Sequence, residues 1–373
     1  MHNGNSITGS KDTDLHVLTY LSVQDLNVLS QVCKFTRELC NNEDFWRNKF
    51  KKKYFSPDLF SHYNYKCIVS SDRTWKQRYL LMRYYSDNYH SDRAAVKAAE
   101  NGHNDFCKFF LKFYMEISPY PTKHPVPDIL RIAVKNNNEE LIDFLLLEYS
   151  KCCKFSEGVF GAAAAGNVKL MEFFIEKSER NMEDDTWDRG LFGAVVGGRM
   201  DLVKYFIDKG ANDKNVGIVA GQENNREIID FLLKRNLTKP KYVIDGACVG
   251  GHKDLLDYME TKYGEIKDWK RSLYFACGGV HLSMVQYCIE RLEKSGRSVG
   301  PDEFHEMIHV SSLTNKTMID FLVGRGVRLL YLQYAKEAAD RQGYKGVANH
   351  IQKHIDNKMY LPVVKVRHDY DIP

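Results

Sequence analysis

The sequence lacks any long apolar run. Its longest cluster, Phe144-Leu145-Leu146-Leu147, falls far short of the roughly 18 residues that cross a bilayer, so no membrane partner is expected. It also lacks a marked charge excess. With 53 Lys and Arg against 49 Asp and Glu, the formal net charge of +4 gives no reason to expect a nucleic-acid partner. No CxxC pair occurs. The nine cysteines (Cys33, Cys40, Cys67, Cys107, Cys152, Cys153, Cys248, Cys277 and Cys288) are odd in number and thinly spread. They are read as reduced thiols, several of them small core residues. The opening Met1-His2-Asn3-Gly4-Asn5-Ser6 is polar and has no apolar stretch of a secretory signal, so an intracellular location is expected. No phosphate-binding glycine loop, nucleophile elbow, kinase signature or catalytic cysteine in a recognisable setting appears. Accordingly no catalytic residue, cofactor or metal is expected, and the chain is not expected to be an enzyme. Hydrophobic residues make up 43% and charged residues 27%, which excludes wholesale disorder. A length of 373 residues suits two or three domains, at about 100–200 residues each, or one long repeat array.

What fills most of the chain is a repeat. Ala162, Gly166, Leu170, Phe173 and Phe174 stand at offsets 0, +4, +8, +11 and +12. The same offsets carry Ala194, Gly198, Leu202, Tyr205 and Phe206; Ala247, Gly251, Leu255, Tyr258 and Met259; and Ala98, Gly102, Phe106, Phe109 and Phe110. Weaker copies start at Ala133, Ala220, Ala276, Val310 and Ala339. The nine starts lie 35, 29, 32, 26, 27, 29, 34 and 29 residues apart. One copy reads as helix, turn, helix. The leading Ala sits where a neighbouring helix must come close. Gly or Asn at +4 suits a left-handed helix end. The residues at +8, +11 and +12 share one face of a second helix. One hairpin cannot bury that face alone, whereas a stack shares a continuous core.

The pattern resembles the ankyrin repeat over roughly residues 93–355. Phe173-Phe174-Ile175-Glu176-Lys177 and Val203-Lys204-Tyr205-Phe206-Ile207-Asp208-Lys209-Gly210-Ala211-Asn212 look like that family's second helix, followed in the latter case by its Gly-Ala turn. The family's Thr-Pro-Leu-His opening is degenerate: Arg189-Gly190-Leu191-Phe192-Gly193-Ala194 keeps only the Leu and the Ala.

Residues 15–47 follow a different plan, read as three short helices. Leu15, Leu18 and Leu21 fall on one face of the first, Ser22 can cap the second, and Asn42 can cap the third near Glu43. The order Tyr20-Leu21-Ser22-x-x-Asp25-Leu26, Ser30-x-Val32-Cys33-Lys34, then Phe45-Trp46-Arg47 is similar to the F-box. Thr74-Trp75-Lys76-Gln77-Arg78-Tyr79 looks like the helix that commonly follows one. The family's leading Leu-Pro is replaced by Lys11-Asp12. The resemblance implies Leu15, Leu18, Leu21, Leu26, Val32 and Trp46 as apolar residues forming or supporting a face that docks on the adaptor subunit of a cullin-type (SCF) ubiquitin ligase. The alternative is a three-helix cap on the first repeat, since array ends need covering.

The expected architecture is all-α: a flexible N-terminus (1–12), an F-box-like bundle (13–55), a helical connector (56–92), an ankyrin-repeat solenoid (93–355) and a C-terminal tail (356–373). An F-box ahead of such an array is similar to ankyrin proteins of large DNA viruses, especially those infecting amoebae. That likeness implies a recruiter of an unidentified target protein in the host cytoplasm, with the nucleus as an alternative site. The other reading is a plain ankyrin scaffold that sequesters a host protein.

Other motifs have blander readings. His305-Glu306-Met307-Ile308-His309 is a literal HExxH, but no third zinc ligand stands out, with Ser312 and Asn315 where one zincin class has Gly and His. His350 and His354 are also i, i+4; His350 occupies the repeated aromatic position, and packing explains the pair better than a metal. Cys152-Cys153 reads as two ordinary thiols. Arg47, Lys49 and Lys51-Lys52-Lys53 read as a solvated helix end. The Pro-rich stretch 118–127 reads as a long loop between repeats. Phe155, Trp187 and Trp269 each lie seven residues before their leading Ala and are candidate target-binding residues in an aromatic strip. The alternative is that each ring packs on its own helix pair.

Overall fold

In the computed structural model, residues 17–32, 34–54, 68, 72–117, 124–279, 281–297, 304, 307–308 and 316–360 are described. Among them are 21 α-helices and no strand. No described helix is long and apolar enough to cross a membrane. The chain divides into two compact units, Met1–Pro125 and Val126–Pro373.

In the first unit, α1 (Val23–Val32), α2 (Lys34–Cys40) and α3 (Glu43–Tyr54) form a small bundle, and α4 (Trp75–Asn88) packs on α3. Helix starts follow their cap residues. Ser22 Oγ accepts from the Asp25 amide while Asp25 Oδ2 accepts from the Ser22 amide, a reciprocal cap for α1. Asn42 Oδ1 accepts from the amides of Asp44 and Phe45 at the start of α3. Thr74 and Gln77 form the same reciprocal box on α4, within the expected connector. Ahead of α1, only Val17 and Leu18 are helical among the described residues. A helical hairpin, α5 (Ser91–Glu100) and α6 (Asn104–Ile117), completes this unit around buried Ala98, Phe106 and Phe110.

The second unit is a row of helical hairpins: α7 (Val126–Lys135) with α8 (Glu139–Glu148), α9 (Phe155–Ala165) with α10 (Val168–Arg180), α11 (Thr186–Val196) with α12 (Met200–Asp208), α13 (Val216–Gln222) with α14 (Arg226–Lys234), α15 (Pro240–Gly250) with α16 (Lys253–Tyr263) and α17 (Trp269–Gly278) with α18 (Leu282–Lys294). Then follow α19 (Lys316–Gly324) and the pair α20 (Leu329–Arg341) and α21 (Lys345–Tyr360). Each first helix from α7 to α15 packs on the first helix of the next hairpin.

The repeat offsets explain this packing. The leading alanines Ala133, Ala162, Ala194, Ala220, Ala247, Ala276 and Ala339 are all buried. At +4 the backbone turns left-handed, with φ of 49° at Asn137, 70° at Gly166, 65° at Gly198, 53° at Asn224, 78° at Gly251 and 81° at Gly343. Asn at +5 then caps the second helix: Asn138, Asn167 and Asn225 each accept from the amide three residues on.

The +11 and +12 positions, expected to share the buried face, divide. Residues at +12 (Leu145, Phe174, Phe206, Leu232, Met259, Cys288, Leu322 and Ile351) are fully buried, whereas Phe144, Tyr205, Phe231, Tyr258, Tyr287, Phe321 and His350 at +11 are half-buried and Phe173 is exposed. Adjacent positions on a helix lie about 100° apart, so in these hairpins +11 falls at the edge of the face that +12 buries; in the first copy both Phe109 and Phe110 are buried. Two very close approaches between first helices fall one residue before the leading Ala. A Cβ on Gly246 would sit 1.9 Å from the Ile218 carbonyl oxygen, and one on Gly193 would sit 2.2 Å from that of Phe160.

Polar links tie neighbouring hairpins. Arg131, two before its leading Ala, pairs with Glu157, five before the next. The carboxylate of Glu183 accepts from the amides of Phe155 and Ser156 and so caps the start of α9 from the following connection. At +10 and +11, Tyr258 donates to Asp230, Tyr287 donates to Asp257, and His350 meets Asp320.

Candidate functional site

The bundle at the N-terminus holds its shape through α3. Trp46 is buried, donates its indole N–H to the Cys40 carbonyl at 2.8 Å, and packs against Phe45 and Tyr79 with centroids 5.4 Å away. Leu26, in α1, is buried, and its carbonyl accepts from the Cys40 thiol. Burial pushes that thiol above its ordinary value.

Lys49 departs from the solvated helix end expected for it. Only 2% exposed, it donates to the carbonyls of Thr19 and Leu21, each at 2.6 Å, and so clamps the segment before α1 onto α3. Burial first, then the neighbouring charges of Lys53, Arg83 and Lys52, push its ammonium down to about 8. Lys51, Lys52 and Lys53 do occupy the exposed last turn of α3. With Lys49, Arg83 and Asp87 the last two border a cleft of about 390 Å³.

The same scaffold leaves three apolar side chains exposed. Val17 is 50% exposed, Tyr20 68% and Val28 61%. The Lys52 ammonium stands 3.1 Å from the Tyr20 ring centroid. Residues 15–52 match the F-box-like family. An F-box-like domain is thus present at residues 15–52. It covers only this part of the chain. No curated protein matches the sequence.

Within the F-box-like domain the predicted docking residues divide. Leu18, Leu26 and Trp46 are buried in the bundle, so they support a face without presenting themselves. Leu21 is half-buried. Leu15 and the side chain of Val32 lie outside the described residues. Among the described residues of the domain the exposed apolar ones are instead Val17 and Tyr20, which stand between the quoted leucines, and Val28, two residues after Leu26. A signal for them existed in the helix period: with Leu26 facing inward, Val28 falls about 200° round the helix.

The rings of the expected aromatic strip turn towards their own hairpins. Phe155 and Trp269 are buried and Trp187 is half-buried. Each ring meets a ring of its own hairpin: Phe155 with Phe174 at 6.5 Å, Trp187 with Phe206 at 6.5 Å and Trp269 with Tyr287 at 5.8 Å. This arrangement favours the alternative that each ring packs on its own helix pair.

His305, Glu306 and His309 of the HExxH stretch lie outside the described residues, as do 118–123 of the Pro-rich stretch. Cys152 and Cys153 are free thiols, and burial pushes Cys153 up to about 12, which leaves it protonated and a poor nucleophile.

Proposed function

We propose that this protein is a substrate-recruiting adaptor. An F-box-like domain supports a ubiquitin-ligase adaptor role in general. In the finer reading, that domain docks on the cullin-adaptor subunit of an SCF-type ligase through Val17, Tyr20 and Val28, with the rim cations Lys52 and Lys53 suited to an acidic neighbour. The hairpin row, of ankyrin type, holds a target protein. The ligase supplies the chemistry, so this chain is not itself an enzyme. Its likeness to the ankyrin proteins of large DNA viruses suggests action inside a host cell, in the cytoplasm or nucleus.

The observation that carries this reading is the F-box match at residues 15–52 combined with the exposed apolar side chains of Val17, Tyr20 and Val28 within it. The test is co-purification of the full chain with the adaptor subunit. Tyr20→Asp and Val28→Asp lie on the surface, so they are expected to abolish capture while preserving the helical spectrum. A buried change such as Leu26→Asp unfolds the bundle and does not discriminate. Absence of the Leu-Pro start, replaced by Lys11-Asp12, favours a second reading as an ankyrin scaffold. Failure of the unaltered chain to capture the adaptor at micromolar concentration selects that reading.

A further inference from the structure

Near the C-terminal end of the described hairpins, three metal-ligating side chains converge. His350 and His354 lie one helical turn apart on α21 and therefore on one face. Both turn Nε2 towards Asp320 on α19, with distances of 2.7 Å and 2.6 Å to the same Oδ1. One ligand atom from each residue lies within 4.8 Å of the others. The two imidazoles are about a quarter exposed and the carboxylate half exposed, so an ion can reach them from solvent.

We propose that Asp320, His350 and His354 form a divalent transition-metal site, best suited to Zn²⁺. Two imidazoles and one carboxylate are a donor set that Zn²⁺ accepts with a fourth position open to water or a partner's side chain. Hard Ca²⁺ and Mg²⁺ prefer all-oxygen sites, and Cu(I) prefers sulfur. Tetrahedral Zn²⁺ with bonds of about 2.0–2.1 Å separates its ligand atoms by about 3.3 Å. The present contacts of 2.6 and 2.7 Å therefore need to open by less than 1 Å, roughly a small side-chain rotation at a solvent-facing site. Sequence spacing alone favoured packing for His350 and His354, because the third ligand lies 30 residues away in another helix. The ion would clamp α21 to α19, replacing two hydrogen bonds on one oxygen with a coordinated junction.

Calorimetric titration of the metal-free full-length chain with Zn²⁺ tests the site. One equivalent of tight binding is expected. Loss of even an outer partner of a metal ligand typically costs about 10–100-fold, so His354→Ala and Asp320→Asn are expected to weaken binding by at least that order. The paired change His305→Ala and His309→Ala, which removes the literal HExxH, is expected to leave it unchanged. Zn²⁺ is also expected to slow amide exchange in residues 345–358 of the unaltered chain but not of the His354→Ala variant. Absence of binding, binding indifferent to His354→Ala, or binding lost with the HExxH change overturns the proposal.

Discussion

Arg271 grips Asp245 through two guanidinium nitrogens, Nε at 2.9 Å and Nη2 at 2.6 Å, and the carboxylate is only 1% exposed. Asp245 stands two residues before its leading Ala and Arg271 five before the next. Arg131 and Glu157 occupy the same two positions with the signs exchanged. One geometric slot between successive first helices thus accepts an ion pair of either polarity. Burial raises the Asp245 carboxyl above the ordinary range even though Arg271 opposes the shift.

Because the acid is buried and the base is not, removing the base is expected to be costly. Arg271→Ala should destabilise the second unit by about 3 kcal/mol, at the low end for a broken buried pair because Arg271 is itself 41% exposed. The exchanged pair Asp245→Arg with Arg271→Glu should recover part of the loss that each single change causes. Urea unfolding of the four chains measures this. A double variant no better than the worse single would show that the slot is not symmetric in charge.

Gly246→Ala should open the stack between α13 and α15. The added Cβ would meet the Ile218 oxygen at 1.9 Å and the Gln222 nitrogen at 2.9 Å, both backbone atoms that cannot rotate aside. A loss of about 3 kcal/mol or more is expected. Gly324→Ala, where nothing lies within 4 Å of the new atom, should be neutral or stabilising by up to about 1 kcal/mol. Thermal melts of the pair separate the two outcomes.

Trp269→Ala should cost about 3–5 kcal/mol, as for other large rings removed from a core, and Trp187→Ala less, since its ring is only half-buried. Measured well below their melting temperatures, both variants should retain target binding. Selective loss of binding at unchanged stability would restore the aromatic strip.

Stability should depend on pH through Lys49. Its ammonium titrates near 8 in the folded chain and near the ordinary lysine value of 10.5 when unfolded. Between those values the unfolded chain binds more protons, so stability rises with pH, by at most about 1.4 kcal/mol per unit. Unfolding midpoints between pH 8 and 9.5 should show this slope in the unaltered chain and a flatter one in Lys49→Met.

The sequence by itself determined the helical class, the period, the left-handed turns at Gly166 or Asn224 and the burial of Ala162 and its counterparts. These features are local: a helix end needs a permissive residue and a crowded crossing needs a small one, and both needs recur at fixed offsets. It also marked the F-box-like segment, whose quoted pieces coincide with residues 15–52. Tertiary structure decided which side of α1 turns inward: Leu26 is buried, and the helix period then leaves Val28 on the open side. It likewise decided that Lys49 turns inward, that Trp269 packs on Tyr287, and that His350 and His354 meet Asp320. Each of these depends on the direction of a side chain towards a residue some 18 to 34 positions away, a relation that composition and spacing along the chain do not encode.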